Sequence, residues 1–185
     1  MLKKLIATIA VTICCLADPL PVRAQHQIGA YLKDNKDHRQ LVETISNLGV
    51  VVLVNHKFHC IHKEFAGMYY DNGVLVICQD NRPENNGIEV KWTNNDLDTL
   101  RHEAHHIVQD CALGTIADGK MSRMFANENE YFDFVEDSSL DLVKLYTKLR
   151  EMLNEEETLI EIEAYVVAKD IPVEYITNKI VEFCN

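Results

Sequence analysis

The sequence predicts an α+β domain, a small sheet with a hairpin packed on one central helix and on further helices that follow it. Three observations carry this. Val50 to Asn55 reads as a buried strand, and Met68 to Cys78 holds two β-rich runs around Asn72-Gly73, a strong hairpin signal. From about residue 94 onward the long apolar patterns all have helical spacing. Strands and helices are therefore segregated along the chain, which favours α+β over an alternating parallel-sheet architecture.

The elements follow in order. Asp37 to Leu48 has helical apolar spacing and stops at Gly49, a residue suited to the position just past a helix end. The strand and hairpin come next, and Asn81 to Gly87 is a loop. A second helix starts near Asn94 or Asn95, either of which can cap it. Gly114 to about Asn129 is irregular. Ser138 or Ser139 can cap a helix over Leu140 to Leu153, and another covers Glu155 to Lys169. Pro172 suits the first position of a last helix ending near Cys184.

Residues 1–24 have the anatomy of a secretory signal peptide: a basic start, an apolar run from Leu5 to Ala17, and small Ala24 before the cleavage point. Residues 25–185 then form one domain, either secreted or periplasmic. The chain carries a net charge of −11. Such a surface repels phosphate backbones and anionic lipid, so nucleic acid and membranes are poor partners for the mature chain. Cys60, Cys78, Cys111 and Cys184 remain after cleavage, an even count that reads as two disulfides in an exported protein. Cys60–Cys78 would close the hairpin region, and Cys111–Cys184 would staple the second helix to the C-terminus.

Within that second helix, His102, Glu103 and His106 spell H-E-x-x-H. Composition alone would generate this pattern in roughly 3% of shuffled chains, so its surroundings must decide its meaning. At about 100° per residue, His106 lies about 40° from His102 and on the same face, with Glu103 about 100° to the side. Leu97, Leu100, Ala104, Ile107, Val108 and Cys111 occupy the opposite face. One side of the helix can anchor in a core while the other presents two ligands for one metal ion. His105 falls off the metal face and reads as a solvated residue or one supporting the ligands from behind.

Catalytic zinc takes three protein ligands and leaves a position for water. Glu161 and Glu163, on the helix over Glu155 to Lys169, can supply the third. Glu161 is flanked by Ala164, Ala168 and Tyr165, and the small residues permit close approach of another helix. Glu163 lines up with Glu156 and Asp170 in what reads as a solvent stripe. The spacing favours Glu161, with Glu163 as the alternative.

H-E-x-x-H followed by E-x-x-A-x-x-x-A resembles the gluzincin metallopeptidases, on His102, Glu103, His106, Glu161, Ala164 and Ala168. Some branches have Asp or Asn where this chain has Tyr165. The resemblance spans about Asp37 to Asp170 and implies a minimal zincin-like fold. It also implies a Zn2+ ion on His102, His106 and Glu161, with Glu103 as general base in hydrolysing a peptide or protein substrate. Tyr165, Tyr146 and His62 are candidate donors to the developing oxyanion, and Val74 to Cys78 a candidate edge for pairing an extended substrate. Two other functions compete: non-catalytic metal binding, for which His56, His59, Cys60 and His62 offer a second cluster if Cys60 is reduced, and a disulfide-stapled binding module on a degenerate zincin fold.

Overall fold

In a computed structural model that describes residues 32–83, 87–125 and 127–184, the chain forms three strands and six helices. The expected signal peptide lies outside the described residues. Helix α1 (Lys36–Asn47) leads into β1 (Val51–Val54); β2 (Gly67–Tyr70) and β3 (Val74–Ile77) form the hairpin. Helix α2 (Asn94–Cys111) carries the H-E-x-x-H residues. Helices α3 (Glu128–Glu136), α4 (Leu142–Arg150), α5 (Glu155–Asp170) and α6 (Val173–Phe183) follow.

The sheet order is β1-β3-β2, with β3 parallel to β1 and antiparallel to β2. Side chains alternate across it, as the period of a strand requires. Val52, Leu75 and Ile77 enter the main core, while Leu53, Val76 and Cys78 pack on the other face with Phe65 from the loop after β1. Val74 to Cys78, the expected substrate edge, is thus the central strand, saturated on both sides. The free edge beside α2 belongs to β2.

Helix α2 is the hub. Its apolar face, from Leu100 to Cys111, joins the main core with α1, the sheet, Val167 of α5 and Ile176 and Ile180 of α6. Its start is set by Thr93 rather than Asn94 or Asn95. The Thr93 side chain accepts from Asp96 N–H and the Asp96 carboxylate accepts from Thr93 N–H, a reciprocal capping box. Asn95 instead donates to Asp80.

Four helices follow α2 where three were expected. The additional α3 buries only Tyr131 and Val135, too sparse a stripe to announce itself. Both join Leu149, Ile162 and Val166 in a second, smaller core between α3, α4 and α5. Asp141, not Ser138 or Ser139, caps α4. The two serines bind the Asp170 carboxylate at the end of α5, because the chain crosses that end before α4 begins. Pro172 is the N-cap of α6, so the helix begins at Val173, one residue later than expected.

Both expected disulfides are formed, Cys60–Cys78 and Cys111–Cys184. The first holds the loop between β1 and β2 against β3. Arg82 holds the same loop by donating to the carbonyls of Cys60, His62, Lys63 and Phe65. None of the described helices is long and apolar enough to cross a membrane.

Candidate metal centre

Helices α2 and α5 pack side by side, and the small, fully buried Ala164 lets them approach closely. His102 and His106 from α2 and Glu161 from α5 converge at this contact. His106 Nε2 lies 3.2 Å from His102 Nε2 and 3.4 Å from Glu161 Oε1, and His102 Nε2 lies 3.2 Å from Glu161 Oε2. Ligands about 2.0–2.1 Å from a tetrahedral zinc stand roughly 3.3 Å apart, and each of these pairwise distances is close to that, with the two histidines facing different oxygens of the Glu161 carboxylate. Two imidazoles and a carboxylate are also the donor set that zinc favours in sites with an open position. The residues fit the ion. Among the described residues, no other trio of His, Cys, Asp or Glu forms such a group.

Charge supports the arrangement. Burial works against ionisation of Glu161, but His102 and His106 outweigh it and hold the carboxyl below its usual range. Glu161 is therefore an anion facing two imidazoles.

Glu103 stands beside the trio, on the sheet side of α2. Its Oε2 accepts the Tyr69 N–H at 2.8 Å, from the free edge of β2. Its other oxygen takes no hydrogen bond from the described residues. Burial pushes its carboxyl up to about 7, with nearby His106 acting in the opposite sense. Tyr69 is pinned at both ends, since its hydroxyl donates to Asp110 Oδ2 at 2.7 Å. Close docking of β2 depends on Gly67. A Cβ there would stand 2.7 Å from Thr99 Cγ2, 2.9 Å from Val76 O and 3.1 Å from Glu103 Cγ.

A cleft of about 750 Å³ opens over His102 and Glu103. One wall is Glu64 to Met68, leading into and along β2; Leu140, Met152, Tyr165 and Ala168 face it. Its walls are mostly apolar, with Asp98 and Lys169 also on the lining. The Tyr165 ring lies 4.4 Å from that of His102, centroid to centroid. Burial raises the Tyr165 phenol, so its hydroxyl stays protonated at neutral pH. Of the other candidate donors, Tyr146 lines a separate groove between α3, α4 and α5, and His62 is exposed outside the cleft.

Two readings of single residues are corrected. Glu163 does not face solvent; it is fully buried. Its carboxylate accepts from His105 Nε2 at 2.8 Å, Gln109 Nε2 at 3.0 Å and Met124 N–H at 3.0 Å. Glu163 faces α2, and the segment before α3 closes over it, so the middle of the expected solvent stripe is covered. Only its ends stay polar in the expected way: Glu156 is exposed and pairs with Arg123, and Asp170 binds the two serines. Of the two expectations for His105, the solvated one is overturned, since the residue is fully buried, while its hydrogen bond to Glu163 is in keeping with a place behind the ligands. In the second histidine cluster Cys60 is consumed by its disulfide, and His59 Nδ1 sits 3.1 Å from the Tyr70 hydroxyl.

Gln109, Tyr69 and Gly67 escaped the sequence reading. Gln109 alone left a signal, lying three residues after His106 and so on the same side of the helix. Tyr69 and Gly67 act through strand docking, which no local pattern announces. Comparisons of the chain with family models, curated proteins and solved structures found no match, so its own geometry carries the functional reading.

Proposed function

We propose that this protein is an exported zinc metallopeptidase of gluzincin type. The observation that carries the proposal is the convergence of His102, His106 and Glu161 at tetrahedral spacing, with the Glu103 carboxylate beside them at the floor of an open cleft. A zinc ion held by these three residues supplies a Lewis acid and lowers the pKa of water toward neutrality.

The chain's own groups do the rest. Glu103 accepts a proton from the attacking water at the oxygen that Tyr69 leaves free, then returns it to the leaving amine. Burial favours the protonated form of that carboxyl, which helps it hold the proton between the two halves of the task. Tyr165, protonated and at the cleft wall, can donate to the developing oxyanion. An extended peptide fits along the free edge of β2, with side chains against Phe65, Met68 and Met152. Two disulfides and the signal-like first 24 residues favour an exported protein acting in an oxidising compartment.

Zinc content and cleavage of a broad peptide library, measured on the same preparation, test this. Glu103→Gln should keep the metal and lose about 10²–10⁴-fold in rate. His106→Ala should lose metal and activity together. A metal-free wild type, or Glu103→Gln as active as wild type, would defeat the proposal. Zinc bound with no cleavage would assign the site to a binding module instead. The mass of the exported form should correspond to a chain beginning at Gln25.

A further inference from the structure

A chain of hydrogen bonds runs from the back of His106 into the protein. His106 Nδ1 lies 2.7 Å from Gln109 Oε1. Gln109 Nε2 donates to Ile160 O at 2.9 Å and to Glu163 Oε1 at 3.0 Å. Glu163 also gathers His105 Nε2 and the Met124 N–H. His105, Gln109 and Glu163 are each 0% exposed, and His106 only 5%.

The chemistry of these groups fixes where the hydrogens are. Ile160 O is a backbone carbonyl and can only accept, so the Gln109 atom facing it is its NH2 group. The amide oxygen must then face His106, and an amide oxygen cannot donate. His106 Nδ1 therefore carries the hydrogen. A neutral imidazole carries only one, so Nε2 keeps its lone pair and turns it toward His102 and Glu161. That is the tautomer a metal ligand needs. His102 has no such device, since its Nδ1 is buried with no hydrogen-bond partner among the described residues.

We infer that Gln109, anchored by Glu163 and Ile160 O, is a positioning residue for this metal centre. It locks His106 in the Nδ1–H form and fixes the plane of its ring. The inference rests on the metal-centre reading above. It gives Glu163 a purpose distinct from ligation: its Oε1 accepts from the Gln109 NH2 group and helps hold the amide oxygen toward His106. Hydrogen-bonded chains of this kind polarise along their length, which strengthens each link in a buried setting. The ligand support then comes from within α2, one turn beyond His106, and not from the α5 position that Tyr165 fills.

Two measurements on the full mature chain test this. In metal-free wild type, long-range 1H–15N spectra of the histidine rings, taken where His106 is neutral, should show Nδ1 protonated and Nε2 bare. Zn2+ affinity, read by competition with a chromophoric chelator, should fall about 10–100-fold in Gln109→Met, the usual cost of losing such a partner. His106 found as the Nε2–H tautomer would overturn the inference, as would a folded Gln109→Met that binds Zn2+ as wild type does. Should Gln109→Met fail to fold, the wild-type tautomer alone decides. Wild type that takes up no Zn2+ would defeat the metal-centre reading, and the ring spectra would still report whether Gln109 sets His106.

Discussion

Several polar residues of α2 are buried, yet each answers to a different neighbour. Glu103 meets the edge of β2, His106 meets Gln109, and His105 meets Glu163. Sub-ångström placement matters most at Gly67. Adding a methyl there brings it against Val76 O, a backbone atom that cannot swing aside. Gly67→Ala should cost about 1–3 kcal/mol, the usual range for overpacking. On the proposed peptidase reading it should also lower cleavage by shifting the Tyr69 N–H off Glu103, so melting temperature and rate should fall together; an unchanged rate would detach β2 from the role proposed for Glu103.

A second residue-scale prediction concerns Glu89, which is buried, accepts from Trp92 Nε1 at 2.6 Å, and is pushed up to about 7 by that burial. Between its ordinary value of 4.5 and about 7, the folded chain keeps a proton that the unfolded chain has released. The Glu89 contribution to stability is therefore intact below that window and declines as pH rises through it. Glu89→Gln keeps the acceptor for Trp92 and cannot ionise. Its melting temperature should exceed that of wild type above pH 7 and converge with it near pH 4.5. A constant difference across pH would mean that Glu89 does not titrate in that window.

At the scale of elements, α2 must begin at a fixed residue for its histidines to face α5. The capping box of Thr93 and Asp96 sets that start. Thr93→Ala should cost about 1 kcal/mol, and hydrogen exchange in the first turn of α2 should accelerate before exchange near His106 does. Uniform acceleration along the helix would show that packing on the core, not the cap, defines its beginning. The order β1-β3-β2 is the other decision at this scale. Inserting β3 between its partners leaves β2 free, and the free edge is what reaches Glu103 and lines the cleft.

For the whole molecule, α2 is held from three sides by α5, α6 and the sheet, and the Cys111–Cys184 bridge closes the longest loop around it. Its cysteines are 73 residues apart, and a crosslink over a loop of that size is worth about 4 kcal/mol on chain-entropy grounds. A Cys111→Ser/Cys184→Ser double variant should lose stability on that order in chemical denaturation. On the proposed reading it should retain Zn2+ at low temperature, because His102, His106 and Glu161 sit on α2 and α5 and not on α6. Loss of zinc from the folded double variant would show that α6 sets the spacing of the ligand helices.

By itself the sequence determined what short-range geometry controls. One helical turn puts His102 and His106 on one face, Asn72-Gly73 turns the hairpin, and four cysteines fall where two bridges can close. The first two depend on helical period and turn conformation, which any stretch of chain carries with it, and the cysteine reading on an even count after a signal-like start. Tertiary structure alone decided what each polar face would meet. Glu163 and Glu156 share a stripe of α5, yet one is caged by donors and the other is exposed, because His105 and Gln109 of α2 and the Met124 N–H all converge on Glu163 while Glu156 meets the Arg123 side chain. The same holds for β3 entering between β1 and β2, and for Gln109 turning its amide toward His106. Burial of a polar group depends on which remote donors arrive to satisfy it, and that is a property of the packed chain, not of the helix that carries the residue.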